Sequence, residues 1–258
     1  MAEIHPSAIV DSRARIAEDV RIGAYTTIGG DVEIGQGTTI AEHVVIRGNT
    51  TIGRDNRIFQ FNSIGEIPQD KKYAGEPTKL IVGDGNTIRE FCTLNLGTAQ
   101  DRGVTSIGNR NWIMAYVHVA HDCDVADDTV LANGVTLAGH VTVGSFAILG
   151  GFTAVHQFCR VGAHVMLGGG SIVLADVPPF VMANGNSAEP RGINSEGLKR
   201  RGFSPESITA IRRAYKTLYK SGLLLEDARK AIADDEREHP ELAALSGFLA
   251  VAGRGIIR

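Results

Sequence analysis

An aliphatic side chain recurs at every sixth position over most of this chain, and no other feature limits the possible folds as strongly. Steps of six from Ile4 reach an isoleucine or a valine each time up to Ile64. The period is interrupted twice, resumes at Val82 and again at Ile107, and continues to Val173. Six residues match neither the period of an α-helix nor the alternation of a hairpin strand. They match a chain that turns a corner every six residues.

Three such short strands form one triangular coil, and successive coils stack in parallel with their aliphatic side chains pointing inward. Glycine often follows the aliphatic position, as at Gly23, Gly29 and Gly35. Glycine, asparagine and aspartate tolerate the positive φ that tight corners require. The 31 glycines and the aromatic content of only 6% also suit tight turns around thin aliphatic layers. The sequence therefore predicts an all-β parallel solenoid.

The same period predicts how the chain is divided. It indicates a solenoid over residues 1–186, and the different pattern of residues 187–258 indicates a small α-helical C-terminal domain. Two polar, turn-rich segments interrupt the period at residues 66–81 and 95–106. We expect both to project from the solenoid as loops, and long loops on a rigid scaffold commonly serve binding.

The C-terminal region carries the signals of helix starts and ends. Ser204 suits a helix N-cap, Pro205 the first helical position, and Gly222 the end of the same helix. Two further helices are predicted at residues 224–238 and 241–251, separated by a proline. We expect this domain to cover part of the solenoid, because a bare solenoid end exposes unpaired strand edges.

Charge and composition exclude several functional classes. The net charge of -3 leaves no global basic field for nucleic acid or an anionic membrane. The first residues lack the basic and apolar stretches of a signal peptide, and no apolar run reaches the roughly 18 residues of a membrane span. Cys92, Cys123 and Cys159 are an odd set without close spacing, typical of reduced thiols. We expect a cytoplasmic protein with no membrane span and no nucleic-acid partner.

Histidines within the repeat are the strongest candidates for chemistry. Val119 is an inward position, so His118 and His121 lie on the outside of the coil. His140 and His156 follow after about one and two further coils, which predicts a ladder of imidazoles along the outer wall. A neutral imidazole can take the proton of a hydroxyl group that attacks a thioester carbonyl.

The residues themselves leave three interpretations of these histidines open. In the first, His121 is a general base that Asp122 orients, and the backbone N–H of Gly139 stabilises an oxyanion. In the second, His118, His121 and His140 bind zinc, as in carbonic anhydrases built on the same type of solenoid. In the third, the histidines only support the fold. No Gly-x-Ser-x-Gly elbow, Walker loop or dinucleotide fingerprint is present in the sequence.

Six segments together resemble one known family, the UDP-N-acetylglucosamine O-acyltransferases of lipid A synthesis, which are hexapeptide-repeat proteins. They include His-Val-Ala-His-Asp-Cys and Leu-Ala-Gly-His, and they lie at residues 60–66, 69–78, 118–123, 137–140, 150–159 and 194–203. The resemblance implies a left-handed β-helix. It also implies transfer of an (R)-3-hydroxyacyl group from acyl carrier protein to the 3-hydroxyl of UDP-N-acetylglucosamine. This reaction is the first step of lipid A synthesis, and it needs no cofactor or metal.

The resemblance further implies roles for single residues. It makes His121 the general base, Asp122 its orienting partner and Gly139 the backbone donor to the thioester oxygen. Gly169 aligns with the floor of the acyl pocket, where a glycine leaves room for a longer chain. The residues implied in substrate binding are Asp70, Lys72, His118, His140, His156, Gln157, Asn194, Glu196, Arg200 and Arg201.

Partners follow from the same resemblance. Family members act as homotrimers with the cleft between neighbouring solenoids, and acyl carrier protein is the donor. Because carrier protein is acidic, we expect a local basic patch to attract it. The candidate basic residues are Lys199, Arg200, Arg201, Arg212 and Arg213.

Two departures from the family pattern concern the acceptor. Asn95 and Leu96 stand where the family often has a His-Arg pair, and Ser187 stands where some relatives carry a polar ring. A 3-amino analogue of the sugar is therefore an alternative acceptor. The other alternative activity is that of the N-acyltransferase acting later in the same pathway. That enzyme carries an additional domain before its repeats, whereas the repeat here begins at Ile4.

Overall fold

Short strands separated by tight corners make up most of the molecule. The computed structural model describes residues 2–251 and 255–258. The strands are β1 (Glu3–Ile4), β2 (Ile9–Val10), β3 (Arg15–Ile16), β4 (Arg21–Ile22), β5 (Thr27–Ile28), β6 (Val32–Ile34), β7 (Thr39–Ile40), β8 (Val45–Ile46), β9 (Asn49–Ile52), β10 (Arg57–Ile58), β11 (Ser63–Glu66), β12 (Lys79–Val82), β13 (Thr87–Ile88), β14 (Thr93–Asn95), β15 (Val104–Ile107), β16 (Trp112–Ile113), β17 (His118–Val119), β18 (Asp124–Val125), β19 (Val130–Leu131), β20 (Thr136–Leu137), β21 (Thr142–Val143), β22 (Ile148–Leu149), β23 (Ala154–Val155), β24 (Arg160–Val161), β25 (Met166–Leu167), β26 (Ile172–Val173), β27 (Val181–Asn184) and β28 (Glu189–Ile193).

Helices follow the last strand. They are α1 (Ser195–Arg200), α2 (Pro205–Tyr219), α3 (Leu225–Asp235) and α4 (Ala243–Ala250), and a 3₁₀ turn spans Pro240–Leu242. No helix in the described part of the chain is both long enough and apolar enough to cross a bilayer.

The strands form three sheets that run along the solenoid. Sheet A contains β1, β4, β7, β10, β13, β16, β19, β22, β25, β27 and β28; sheet B contains β2, β5, β8, β11, β14, β17, β20, β23 and β26; the remaining strands form sheet C. Strands β1 to β23 each pair in parallel with the equivalent strand one coil later, as Glu3 does with Arg21. Only β28 is antiparallel to its neighbour among the described strands. We name each corner by the sheets it joins: A–B, B–C and C–A.

Stacked aliphatic layers form the core, as the six-residue period predicts. Ile28 lies in register with Ile46 in sheet B, and both side chains are buried. Removing such apolar surface from water is the main driving force for folding, at roughly 25 cal/mol per Å². Ile4, in the first coil, is 41% exposed, whereas Ile22 in the next coil is 3% exposed. The difference arises because no earlier coil covers Ile4.

The other end of the solenoid is covered by the helices. Helix α2 packs against β28 and buries Ile208 and Ile211. Its N-cap is Ser204, whose hydroxyl oxygen accepts the N–H of Ser207 at 3.1 Å, and Pro205 is its first residue. The predicted start of this helix is therefore confirmed.

Two details of the C-terminal region differ from expectation. The helix expected at residues 224–238 ends at Asp235. Pro240 separates the two helices as expected, but the second one, α4, begins only at Ala243, after a 3₁₀ turn that Pro240 starts, since the fixed φ of proline suits a first helical position. Strand β28 lies beyond residue 186, so sheet A continues past the boundary expected between the domains, and that boundary stays a prediction.

Stacked rings hold corner A–B, a feature that the six-residue pattern does not reveal. Tyr25, His43, Phe61, Phe91 and Tyr116 occupy equivalent corner positions, each with a positive φ. Neighbouring rings lie 5.0–5.3 Å apart with interplanar angles of 6–17°. Side chains other than glycine rarely adopt this φ, and we infer that the stacking offsets its cost.

A second column, at corner C–A, contains a partly buried histidine. His164 stacks between Phe146 and Phe180, with ring centroids 4.9 and 5.7 Å away, and Phe203 meets its edge. Burial lowers the pKa of His164, and the charge of Arg201 lowers it further. The column joins the solenoid to the segment that follows α1.

We expect His164 to make the fold less stable at acid pH. Because its pKa in the folded chain lies below the value of about 6.5 in an unfolded one, the unfolded state takes up the proton first. Stability is therefore lost as the pH falls through that value. His164→Phe keeps a ring in the column but removes this contribution, so the Tm of the variant should decline less between about pH 8 and pH 5. Thermal melts of both proteins measure this, and parallel pH curves would contradict it.

Candidate active site at corner B–C

Three features of the chain meet at corner B–C. The loops at residues 67–78 and 96–103 both leave the solenoid there, because each joins a strand of sheet B to the next strand of sheet C. His121 and Asp122 occupy this corner between β17 and β18. His140 occupies it one coil later, between β20 and β21. The stacking of coils thus brings both loops and both imidazoles to one edge of the solenoid.

A buried carboxylate holds the ring of His121. Nδ1 of His121 lies 2.9 Å from Oδ2 of Asp122, whose side chain is 0% exposed. Asp122 also accepts two hydrogen bonds from Thr98, one from the backbone N–H at 3.0 Å and one from the hydroxyl at 2.6 Å. Because a carboxylate only accepts, Nδ1 of His121 carries the proton and Nε2 presents a lone pair. Nε2 has no hydrogen-bond partner among the described residues, so it is available to take a proton.

The backbone at this corner fixes the point from which the pair projects. Asp122 has a φ of 58°, a conformation that aspartate tolerates better than most residues. Its backbone N–H donates to the hydroxyl oxygen of Thr105 at 2.8 Å. The backbone of Asp122, from which the pair projects, is therefore restrained.

Gly139 lies in the next coil, directly against the ring of His121. A Cβ atom added to Gly139 would stand 2.5 Å from Cε1 and 2.6 Å from Nε2 of His121, closer than non-bonded atoms approach. The absence of a side chain is thus what lets the imidazole occupy this place. The backbone N–H of Gly139 has no hydrogen-bond partner within the residues that the structure describes. It is therefore available to a ligand oxygen.

A second histidine is held beside the first. The rings of His121 and His140 lie 5.0 Å apart at 87°, edge to face. Nδ1 of His140 is 2.6 Å from Oδ2 of Asp101, on the loop at residues 96–103. The ring of Phe158 stacks on His140 at 4.2 Å. Two imidazoles, each held at Nδ1 by a carboxylate, therefore line the same corner.

His118 lies on the outer face of sheet B, below that corner. Its Nδ1 is 2.7 Å from the hydroxyl oxygen of Thr93. Burial lowers the pKa of His118, and protonation of the nearby His121 would lower it further. We therefore expect His118 to be neutral at neutral pH.

The side chains that converge as possible metal ligands differ from the set considered above. They are His121, Asp122 and His140, whose ligand atoms all lie within 4.8 Å of one another, and His118 is not in this group. A cation there would have to replace the hydrogen bonds that Asp122 and Asp101 make with the two imidazoles. The side chains present therefore favour the hydrogen-bonded arrangement over a bound cation.

A strip of small and apolar side chains leads away from His118. In register above it on the outer face of sheet B lie Thr136, Ala154 and Ile172. Gly169 lies beside this strip at corner A–B, three coils above His118, and it is exposed. A Cβ atom there would meet nothing closer than 3.4 Å, so the space above Gly169 is open.

The other predicted binding residues near corner B–C lie on loops and turns. Asp70 accepts the backbone N–H of Lys72 at 3.0 Å, and the side chain of Lys72 is exposed. His156 and Gln157 are exposed at corner B–C in the coil after His140. These four positions therefore border the same edge as His121.

The remaining predicted binding residues lie at a different corner. Asn194 is buried, caps α1 through the N–H of Gly197, and donates to the carbonyl of His164 at corner C–A. Arg201 lies over the ring of Phe146 at 4.4 Å in the same column. Glu196 and Arg200 are exposed on α1 between these two anchors. One subunit thus carries most of its predicted binding residues in two groups, at or beside corner B–C and at corner C–A, whereas Gly169 lies at corner A–B.

Some of the basic residues expected to attract carrier protein are already paired. Arg213 binds the carboxylate of Asp235 through Nε at 3.1 Å. Lys199 pairs with Glu196 at 2.8 Å. Arg200 and Arg212 are exposed and make no salt bridge among the described residues, so they remain the stronger candidates of the set.

Three residues of the site were not found from the sequence. They are Thr98, Asp101 and Thr105, which contact Asp122 or His140 from 17 to 39 positions away in the chain. Thr98 and Asp101 lie in a segment where the period is interrupted, so no repeat position indicated their orientation. The only available signal was that the loop was long and polar.

Comparisons with known proteins agree with this architecture. The family described as Udp N-acetylglucosamine O-acyltransferase, Domain 2, matches residues 176–257, and the bacterial transferase hexapeptide family matches residues 13–48 and 105–139. The acyl-[acyl-carrier-protein]–UDP-N-acetylglucosamine O-acyltransferase of Thiobacillus denitrificans is 62% identical over 258 residues, 100% of both chains. That of Herminiimonas arsenicoxydans is 57% identical over 262 residues, again 100% of both chains.

Solved structures show the same similarity. LpxA from Acinetobacter baumannii superimposes with a TM-score of 0.97 at 48% identity, covering 99% of each chain. The UDP-N-acetylglucosamine acyltransferase of Arabidopsis does so with a TM-score of 0.85 at 33% identity, covering 99% of this chain and 100% of that one. The predicted fold class, a left-handed parallel β-helix followed by short C-terminal helices, is thereby confirmed.

Proposed function

Because this chain belongs to the family of acyl-[acyl-carrier-protein]–UDP-N-acetylglucosamine O-acyltransferases, we propose that it performs that acyl transfer with His121 as general base. The observation that carries the proposal is the position of the His121 ring, which Asp122 holds at 2.9 Å while Nε2 is left without a partner in the described structure. We place the reaction at the first step of lipid A biosynthesis.

The proposed reaction is a direct transfer without a covalent enzyme intermediate. Nε2 of His121 takes the proton of the 3-hydroxyl of UDP-N-acetylglucosamine as that oxygen attacks the thioester carbonyl of an (R)-3-hydroxyacyl carrier protein. A C–O bond forms, the C–S bond breaks, and His121 returns the proton to the departing thiolate. Asp122 stabilises the imidazolium formed between these steps. The backbone N–H of Gly139 donates to the carbonyl oxygen as it becomes negative.

The acyl chain of the donor is proposed to follow the strip on sheet B. Thr136, Ala154 and Ile172 give this strip little polarity, and it leads from His118 toward Gly169. Parallel strands lie about 4.8 Å apart, so three coils provide roughly 14 Å of length. The open space at Gly169 favours a longer acyl chain over a shorter one.

We propose that the complete site lies between subunits of a homotrimer. The support is the division of the predicted residues between corners B–C and C–A, because two corners of one triangular solenoid face in different directions. A neighbouring copy that places its corner C–A beside corner B–C would bring Arg200 and Glu196 to the cleft that contains His121. Closed cyclic assemblies are built from repeated contacts of this kind.

Mixed oligomers test this arrangement. His121→Ala and Arg200→Ala proteins should each have little activity alone. Coexpressed in equal amounts, they should regain about one quarter of wild-type activity. Each cleft takes His121 from one subunit and Arg200 from its neighbour, and each of these residues is intact with a chance of one half. Activity of the purified mixed oligomer is the measurement. No recovery over the separate variants would place His121 and Arg200 in one subunit's site.

The proposed function is tested by assaying the purified protein with a series of 3-hydroxyacyl carrier proteins of different chain length. UDP-N-acetylglucosamine and its 3-amino analogue are the two acceptors. Turnover that persists in excess chelator supports the base mechanism, whereas its loss would support the metal interpretation. Turnover only on the 3-amino acceptor would change the proposed acceptor but not the proposed site. No turnover on any pair of substrates would overturn the proposal.

We place the protein in the cytoplasm. All three cysteines, Cys92, Cys123 and Cys159, are buried, and Cys92 and Cys123 are free thiols, as is usual for proteins of reducing compartments. Burial raises the pKa of the Cys92 thiol to about 12 and that of Cys123 to about 12, so neither forms a thiolate at neutral pH.

A further inference from the structure

The loop at residues 96–103 contacts the catalytic corner at two separate points. Thr98 donates to Asp122, and Asp101 lies 2.6 Å from Nδ1 of His140. We propose that Asp101 is a positioning residue for the acyl-transfer reaction. It holds His140 in the tautomer with the proton on Nδ1, so that Nε2 of His140 accepts a hydrogen bond from an O–H or N–H group of the sugar acceptor. The identity of the sugar acceptor in this inference rests on the proposed function, whereas the tautomer of His140 follows from its contact with Asp101.

The hydrogen bond at one ring nitrogen sets the state of the other. A carboxylate oxygen can only accept, so the contact with Asp101 requires the proton of a neutral His140 to be on Nδ1. Nε2 of His140 then carries a lone pair, and it has no hydrogen-bond partner among the described residues. An acceptor at this point matches sugar hydroxyls and an acetamido N–H. It does not match the oxygens of a diphosphate, which are themselves acceptors.

Other contacts fix the ring but not its tautomer. Phe158 stacks on the face of His140 at 4.2 Å, and His121 meets it edge to face at 5.0 Å. Asp122, the other carboxylate nearby, is 4.0 Å from Nδ1 of His140, too far for a hydrogen bond. Asp101 is thus the group that decides where the proton lies. Its carboxylate is 40% exposed, so the effect on binding should be moderate.

The neighbouring Arg102 provides a matched control. It lies on the same loop and pairs with Asp124 at 3.3 Å on the surface, and no hydrogen bond or salt bridge joins it to either imidazole in the described structure. Arg102→Ala removes a charged contact of the same loop and leaves His140 untouched. A general loosening of the loop would affect both variants alike.

The deciding experiment is ¹⁵N NMR of histidine-labelled protein at about pH 8, where a histidine of ordinary pKa is neutral. His140 is assigned by its loss in His140→Asn, since asparagine tolerates the φ of 63° at this corner. We expect the Nδ1–H tautomer in wild type and in Arg102→Ala, and a shift toward the Nε2–H tautomer in Asp101→Ala. An Nε2–H tautomer in wild type, or no change in Asp101→Ala, would overturn the proposal.

Steady-state kinetics provide a second test of the proposal. Asp101→Ala should raise the KM for UDP-N-acetylglucosamine roughly fivefold, as expected for loss of a partly exposed charge-assisted hydrogen bond, with kcat changed less than about twofold. In a His140→Asn background the same substitution should add nothing, because Asp101 acts through His140. An additive loss would show a purely structural role. A wild-type protein inactive on this sugar would contradict the proposed function, while the NMR measurement would still test the tautomer.

Discussion

His121→Ala should lower kcat by about 10²- to 10⁴-fold, the range that general bases contribute. Without the imidazole, the attacking hydroxyl loses the base proposed to take its proton. KM should change much less, because the loop and corner residues that border the cleft remain. The folded structure should persist, since Thr98 still donates two hydrogen bonds to Asp122.

Steady-state kinetics and thermal melts of the purified variant check this expectation. His43→Asn is the matched control: His43 is also a corner histidine of the solenoid, but it lies at corner A–B in the stack of Tyr25 and Phe61. Asparagine tolerates the positive φ of that position. The control should keep activity within about twofold. If His121→Ala were fully active, the histidines would be only structural and the base mechanism would be wrong.

Gly139→Ala should lower kcat by about 100-fold while leaving the fold intact. The added methyl group would stand 2.5 Å from Cε1 of His121, so the ring must move by about 1 Å, and displacements of that size cost catalysis about this much. The hydrogen bond between His121 and Asp122 would be lost or lengthened. The backbone of Gly139 does not have a positive φ, so alanine itself adds no backbone strain.

Gly29→Ala separates this effect from a general effect of adding methyl groups at corners. Gly29 also lies at corner B–C, but its added Cβ would meet no atom closer than 3.5 Å, an ordinary contact. We expect wild-type kcat in that variant. A crystal structure or ¹⁵N spectrum of Gly139→Ala should show the displaced imidazole. Retention of more than half of the activity in Gly139→Ala would show that the ring position in the structure is not the catalytic one.

The segments that could be predicted best are those in which the local pattern of residues corresponds directly to their position in the folded structure. Every sixth residue from Ile107 to Val173 is inward, because each coil repeats the same geometry and the repeat can be read along the chain. Ser204 and Pro205 likewise indicate the start of helix α2 in the sequence. In these segments, neighbours in sequence determine the structure.

Corners were less predictable than strands. The pattern indicated glycine, asparagine or aspartate at left-handed positions, yet Tyr25, Phe61 and Phe91 adopt them. Each ring is supported by the ring one coil away, a contact that a local propensity does not contain. The same coil spacing places Gly139 rather than His140 directly against the ring of His121.

The six-residue repeat was enough to predict the solenoid and the candidate base, and the resemblance of the motifs indicated the activity. The groups that hold that base and its neighbour became visible only in the folded chain. Thr98 reaches Asp122 across 24 positions, and Asp101 reaches His140 across 39. Both lie on a loop outside the period, so their contacts depend on how far the loop extends and where the coils stack. This difference arises because a repeat specifies the inside of each coil, whereas the outer edge is specified by contacts between segments distant in the chain.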